Sequence, residues 1–125
     1  MSVTSVPGVL VQGQDATISS AQLSRVQVFP NCSGTFNINP TDGGFVQLNS
    51  IAADTTINFI GIPSQPTVWY VEVANRGTKN VTFNGVTWDG GSAPSIVTAG
   101  RTTLIFTSFF GNSINGALFH ANLAS

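Results

Sequence analysis

Five acids, one histidine and one cysteine are the side chains here that could support acid–base, nucleophilic or metal chemistry. Asp15, Asp42, Asp54, Glu72 and Asp89 are spread along the chain. Nothing in their spacing pairs two of them as the acid and base of a glycosidase. Asp42 and Asp89 each precede Gly-Gly, where a short acid ordinarily caps a turn through nearby backbone. Calcium held by either of them with backbone carbonyls is only weakly motivated. A Ser-His-Asp triad would have to use His120, which falls in an expected strand, and no Gly-x-Ser-x-Gly elbow accompanies it. A zinc site needs several His or Cys ligands, and this chain has one of each. Phosphate-binding and dinucleotide glycine fingerprints are missing. Cys32 reads as a small, partly buried hydrophobe, and a single thiol makes no disulfide framework. These features predict a protein that is not an enzyme and carries no cofactor or metal.

The aromatics carry a different message. There are nine Phe, two Trp and one Tyr. Trp69, Tyr70 and Trp88 have the chemistry of a sugar-stacking platform, but large aromatics more often fill a core or a subunit interface, and that reading is favoured. Phe109 and Phe110, adjacent in an expected strand, must point to opposite faces. One of them then needs cover from another subunit. Trp69, Tyr70, Trp88, Phe109 and Phe110 are therefore the candidate ligand or interface aromatics.

Charge narrows the partners. Charged residues make up 7% of the chain, against about 25% in an ordinary soluble domain. The four cations, Arg25, Arg76, Lys79 and Arg101, are scattered, and the net charge is −1. Tracking phosphates requires clustered cations, so neither nucleic acid nor an anionic membrane is an expected partner. No apolar run is long enough for a transmembrane helix. Polarity comes instead from 13 Ser, 14 Thr and 11 Asn. A weakly charged surface offers little repulsion against association, which suits a protein partly covered by neighbours. The N-terminus lacks the basic and apolar regions of a signal peptide, so the expectation is assembly in a host cytoplasm.

Helical periodicity is nearly absent. Short β-branched and aromatic runs alternate with Gly, Pro, Asn and Asp, and turn signals recur about every ten residues. Strands are expected at Gly8–Val11, Ala16–Ser19, Val26–Phe29, Thr35–Ile38, Phe45–Leu48, Thr56–Ile60, Thr67–Val73, Ser95–Val97, Thr102–Phe110 and Gly116–Ala121. Asn84-Gly85 between Val81–Phe83 and Val86–Trp88 predicts a tight type I′ hairpin. No exact internal repeat emerges. The expected fold is all-β, an antiparallel β-sandwich or jelly-roll-like barrel over residues 26–125. Residues 1–25 would form an N-terminal arm or edge segment within a single domain.

From Asp42 to Ala121 the order of elements resembles a β-rich module of tailed-bacteriophage virion proteins of the decoration, head-fibre and tail-fibre type. In that family a loop of tryptophan, Gly-Gly and proline follows a hairpin and precedes a strand ending in an aromatic; Trp88, Gly90, Gly91 and Pro94 occupy those places. Asn75 and Gly77 match the turn before it. After the last long strand, where the family often has an acidic or aromatic residue, the chain has Gly111-Asn112-Ser113-Ile114-Asn115. The resemblance implies a virion structural protein, a homotrimer bound to the major capsid protein or other virion proteins, with no catalytic residues to carry over. The short chain has no coiled-coil shaft. A capsid decoration (cement) protein is therefore expected ahead of a tail or head fibre component binding host glycan.

Overall fold

The structure is a computed structural model that describes residues 25–123. Among these residues nine strands form two sheets. They are β1 (Val26–Phe29), β2 (Cys32–Ile38), β3 (Phe45–Leu48), β4 (Ile51–Phe59), β5 (Thr67–Ala74), β6 (Val81–Phe83), β7 (Val86–Trp88), β8 (Gly100–Ser108) and β9 (Ile114–Leu123). One sheet has the order β1-β3-β5-β8-β9-β7, the other β2-β4-β6.

The chain winds rather than meanders. β1, β3 and β5 are parallel neighbours in the large sheet, and β2, β4 and β6 are parallel neighbours in the small one. Each pair β1–β2, β3–β4 and β5–β6 is thus one rung of a three-rung stack. Parallel neighbours cannot be joined by a tight hairpin and need a crossover. Here the crossover from one strand to the next of its sheet is the strand of the opposite sheet. Pro30-Asn31 and Asn49-Ser50 suffice to carry the chain between sheets in the first two rungs. The antiparallel expectation therefore holds only for β8 against β5 and for β9 against β8, while β7 returns parallel to β9.

Three local expectations are corrected. Asn84-Gly85 is a turn, but β6 pairs with β4 and β7 with β9, so the two flanks part into different sheets and make no hairpin. Only Gly85 takes positive φ there, whereas a type I′ turn needs it at both positions. The Asn84 amide donates to the Ile57 carbonyl, which holds Asn84 in the parallel ladder instead. Ser95–Val97 forms no strand; Ile96 packs against the core and its carbonyl accepts from Arg76 Nε at 2.7 Å. β8 ends at Ser108, and Phe109 and Phe110 lie in the bend that follows. The expected strands Gly8–Val11 and Ala16–Ser19, and almost all of the 1–25 arm, lie outside the described residues.

One core lies between the sheets. Alternation places Thr67, Trp69, Val71 and Val73 of β5 and Thr102, Leu104, Phe106 and Ser108 of β8 inward. They meet Ile38 of β2, Ile57 of β4 and Phe83 of β6 in one buried cluster. Phe106 is its hub, with ring centroids 4.9 Å from Phe59, 5.2 Å from Phe83, 5.7 Å from Trp88 and 5.9 Å from Trp69. Edge-on and tilted arrangements dominate these pairs, the geometry that ring quadrupoles favour. The Trp69 indole N–H is buried with no acceptor among the described residues, so the core retains this tryptophan for its packing.

Cys32 is fully buried, and loss of hydration pushes its thiol above the ordinary value of 9.0. The unfolded chain therefore ionises first as pH rises. Stability from this group is complete below that value and declines as pH passes through it. Denaturant titrations at several pH values should show a wild-type stability that falls above pH 9.0 relative to Cys32→Ala. A constant difference between the two proteins across that range would refute the linkage.

Candidate functional site

The outer face of the large sheet is built by the residues that alternation excludes from the core. In-register pairing sets Val26, Phe45, Tyr70, Ile105 and Ala117 in one row across β1, β3, β5, β8 and β9. Neighbouring strands lie about 4.8 Å apart, so this row is a continuous apolar stripe. Phe119 joins it through an irregularity. Leu104 pairs with Leu118 and Thr103 with His120, which leaves Phe119 as the extra residue of a bulge. Its ring meets Tyr70 edge-on at 5.3 Å, and Tyr70 lies 6.3 Å from Phe45. Val26, Phe45, Tyr70 and Phe119 line an open groove of about 420 Å³. Phe119 is 60% exposed, and Val26 at the β1 end of the row is exposed as well. The next row, Val28, Gln47, Glu72, Thr103 and His120, is polar except at its β1 end. It is bordered by an Arg101–Glu72 ion pair at 2.7 Å. An apolar centre with a polar border is the anatomy of an interaction surface.

The small sheet faces outward with different chemistry. Thr35, Thr56 and Thr82 stack in register, one per rung. Two residues on in each strand run stand Asn37, Asn58 and Asn84. Asn84 Nδ2 donates to Asn58 Oδ1 at 2.9 Å, and Asn58 Nδ2 to Asn37 Oδ1 at 3.3 Å. The Thr-apolar-Asn unit thus occurs three times, at 35–37, 56–58 and 82–84, each with its middle residue facing the core. The amides satisfy one another across the rungs, so this plate ties the rungs together.

The five candidate aromatics do not converge. Trp69 is completely buried in the core and has no access to a ligand. Trp88 is half-buried, with its ring over Phe83 and Phe106. It also fills the space above Gly116, where a Cβ would stand 2.7 Å from the indole. Tyr70 forms the middle of the outer groove. Phe109 and Phe110 are 55% and 76% exposed in the bend after β8, away from that row. Val26, Phe45 and Phe119 complete the face. Period-two reading of Phe45–Leu48 marks Phe45 as outward once Val46 and Leu48 are inward. Nothing in the sequence marks the bulge that brings Phe119 to Tyr70.

Two of the acids serve local structure. Asp54 accepts the Asn80 amide at 2.9 Å across adjacent rungs, and Glu72 pairs with Arg101. Asp42 ends a 3-10 turn whose side-chain cap is Asn39. No group of three or more potential metal ligands forms among the described residues. No helix among them is long and apolar enough to cross a membrane. Compared with known proteins, the chain matches no family model, no curated sequence and no solved structure.

The two placements separate by stability. Trp69→Ala removes a buried ring and should cost about 3–5 kcal/mol, whereas Phe110→Ala should change stability by less than about 0.5 kcal/mol. Guanidinium unfolding of the two variants checks this, and equal losses would contradict the assigned positions.

Proposed function

We propose that the chain is a structural protein of a bacteriophage particle, a capsid decoration (cement) protein that acts as a homotrimer on the major capsid protein. The observation that carries this reading is the apolar row Val26–Phe45–Tyr70–Ile105, with Phe119 leaning over it, on the outside of a sheet already packed on its other face. A row of this kind gains free energy by being covered, at about 25 cal/mol per Å² of apolar surface removed from water. Weak overall charge and the order of motifs around Trp88, Gly90, Gly91 and Pro94 support the same reading. The two sheets serve as the layers of a sandwich that presents this face rigidly. The protein assembles in the host cytoplasm and resides in the virion.

Chemistry argues against the other classes. Arg76 donates to the carbonyls of Ile96 and Lys79, and Arg101 is held by Glu72, so half of the four cations are engaged within the chain. That leaves little for phosphate tracking on nucleic acid or an anionic membrane. A fibre tip that binds glycan needs flat aromatic faces among hydrogen-bonding groups. Trp69 is buried, and among the described residues lining the outer groove the one polar side-chain group is the Tyr70 hydroxyl. The dispersed acids and lone His120 support a non-enzymatic role without cofactor.

Copy number in purified particles, measured by quantitative mass spectrometry against the major capsid protein, tests the assignment. Hundreds of copies in fixed proportion to capsid protein are expected. A few dozen or fewer would place the protein in a fibre or tail, and absence from particles would refute the virion role. Phe119→Ser should retain the unfolding midpoint while lowering trimer content in sedimentation and occupancy on capsids. Unchanged association would remove the outer face from the interface.

A further inference from the structure

Two Asn-Gly steps occur in the chain, Asn84-Gly85 and Asn115-Gly116. Their local chemistry is the same. Glycine has no side chain to shield its amide nitrogen, and that nitrogen can attack Cγ of the preceding asparagine to close a succinimide ring. The fold treats the two steps oppositely. Asn115 and Gly116 lie inside β9, paired with Thr107 and Phe106 of β8 on one side and with Thr87 and Trp88 of β7 on the other. Gly116 is buried against the Trp88 indole, which stands 2.7 Å from where a Cβ would be. Ladder pairing keeps this step extended and the indole covers it, so ring closure requires the sheet to open.

Asn84 and Gly85 form the turn between β6 and β7 and belong to neither strand. Both are exposed. Gly85 has φ +73°, and a Cβ placed on it would meet nothing within 4 Å. The peptide between the two residues is therefore set by an open turn, not by a ladder. The Asn84 carboxamide also ends the asparagine row of the small sheet. Its Nδ2 donates to Asn58 Oδ1 at 2.9 Å, and Asn58 Nδ2 donates to Asn37 Oδ1 at 3.3 Å, so every donor points the same way. A chemical change at Asn84 is thus a change at the donor end of this row.

We propose that Asn84 is a site of spontaneous deamidation, with water as co-reactant, and that its conversion reverses the polarity of the asparagine row. Solvent base takes the Gly85 amide proton, and the nitrogen attacks Asn84 Cγ. A Cγ–N bond forms, the Cγ–Nδ2 bond breaks, and Nδ2 leaves as ammonia with a proton from water. Water then adds to either carbonyl of the succinimide and opens it, giving aspartate or isoaspartate. The aspartate has no proton to offer Asn58 Oδ1. Two facing acceptors repel, so the Asn58 carboxamide turns its Nδ2 toward residue 84 and its Oδ1 toward Asn37, whose Nδ2 donates in return. The row persists in the opposite sense, with a charge-assisted bond at its end. Isoaspartate instead inserts a methylene into the backbone just after the amide that Ile57 holds. Either product adds one negative charge to a chain whose net charge is −1. The inference concerns the isolated chain and stands independently of the virion assignment.

The test incubates the full folded chain in mildly alkaline buffer made with heavy-oxygen water and reads its peptides by mass spectrometry. Residue 84 should become aspartate and isoaspartate, each carrying one heavy oxygen. Residue 115 should convert at least about 100-fold more slowly, because its ladder must open first. In denaturant the two steps should convert at similar rates, since only the fold distinguishes them. Equal rates in the folded chain, or an Asn84 that persists there while the denatured chain converts, would overturn the site. Gly85→Asn keeps a residue that tolerates left-handed φ and sets a side chain beside the nitrogen. This variant should lose most of the conversion at residue 84, and undiminished conversion would overturn the ring-closure route. For the row itself, Asn84→Asp should shift the side-chain amide NMR signals of Asn58 and Asn37 and leave that of Asn115 in place. Unshifted Asn58 and Asn37 signals would overturn the reversal.

Discussion

Successive rungs must stack in register, because the two-residue period of a strand leaves no intermediate choice. A slip of one residue between β3 and β5 would turn Trp69, Val71 and Val73 outward and bring Val68, Tyr70 and Glu72 into the core. The aromatic cluster around Phe106 fixes the register from inside. From outside, the threonine row and the hydrogen-bonded asparagines of the small sheet fix it a second time. The two devices act on opposite faces of β4 and β6, so these strands are pinned by packing and by polar matching together. The antiparallel pair β8–β9 then extends the large sheet beyond the parallel part and supplies Leu104 and Phe106 to the shared core.

The same alternation that fills the core decides what the surface can do. Every inward residue of β5 has an outward neighbour, and on the large sheet those neighbours are apolar through the middle of the face. On the small sheet they are Thr and Asn, and the Asn side chains bond across the strands. The molecule thus has one face with polar groups satisfied internally and one face whose apolar row lacks cover. With 7% charged residues there is little electrostatic repulsion to keep the second face apart from a neighbour. The proposed structural role rests on this asymmetry more than on any single side chain.

Much of the strand content was legible. Val26–Phe29, Phe45–Leu48, Val81–Phe83 and Val86–Trp88 agree with the expected bounds, because β-branched and aromatic alternation between turn residues is a local signal. The pairing was not legible in the same way. Asn84-Gly85 has the residues of a hairpin turn, yet Phe83 and Trp88 both pack against the core while their strands join different sheets. The Thr-apolar-Asn repeat is present in the sequence but gives no local signal of pairing. A three-residue unit at spacings of 21 and then 26 residues lacks a fixed period, and its meaning becomes visible only when the three copies lie side by side. Of the candidate aromatics, Tyr70 falls in the outer row, while Trp69 belongs to the core.

By itself the sequence determined that this chain is rich in strands and poor in charge. These are properties of composition and of short windows, and local backbone preference is enough to express them. Tertiary structure decided that the neighbours are mostly parallel and that Trp69 is inside while Tyr70 is outside. It also decided that Phe119, from a bulge in the last strand, completes an apolar face begun by Val26 and Phe45. Those outcomes depend on which strand lies beside which, and residues far apart in the chain settle that through a core they must share.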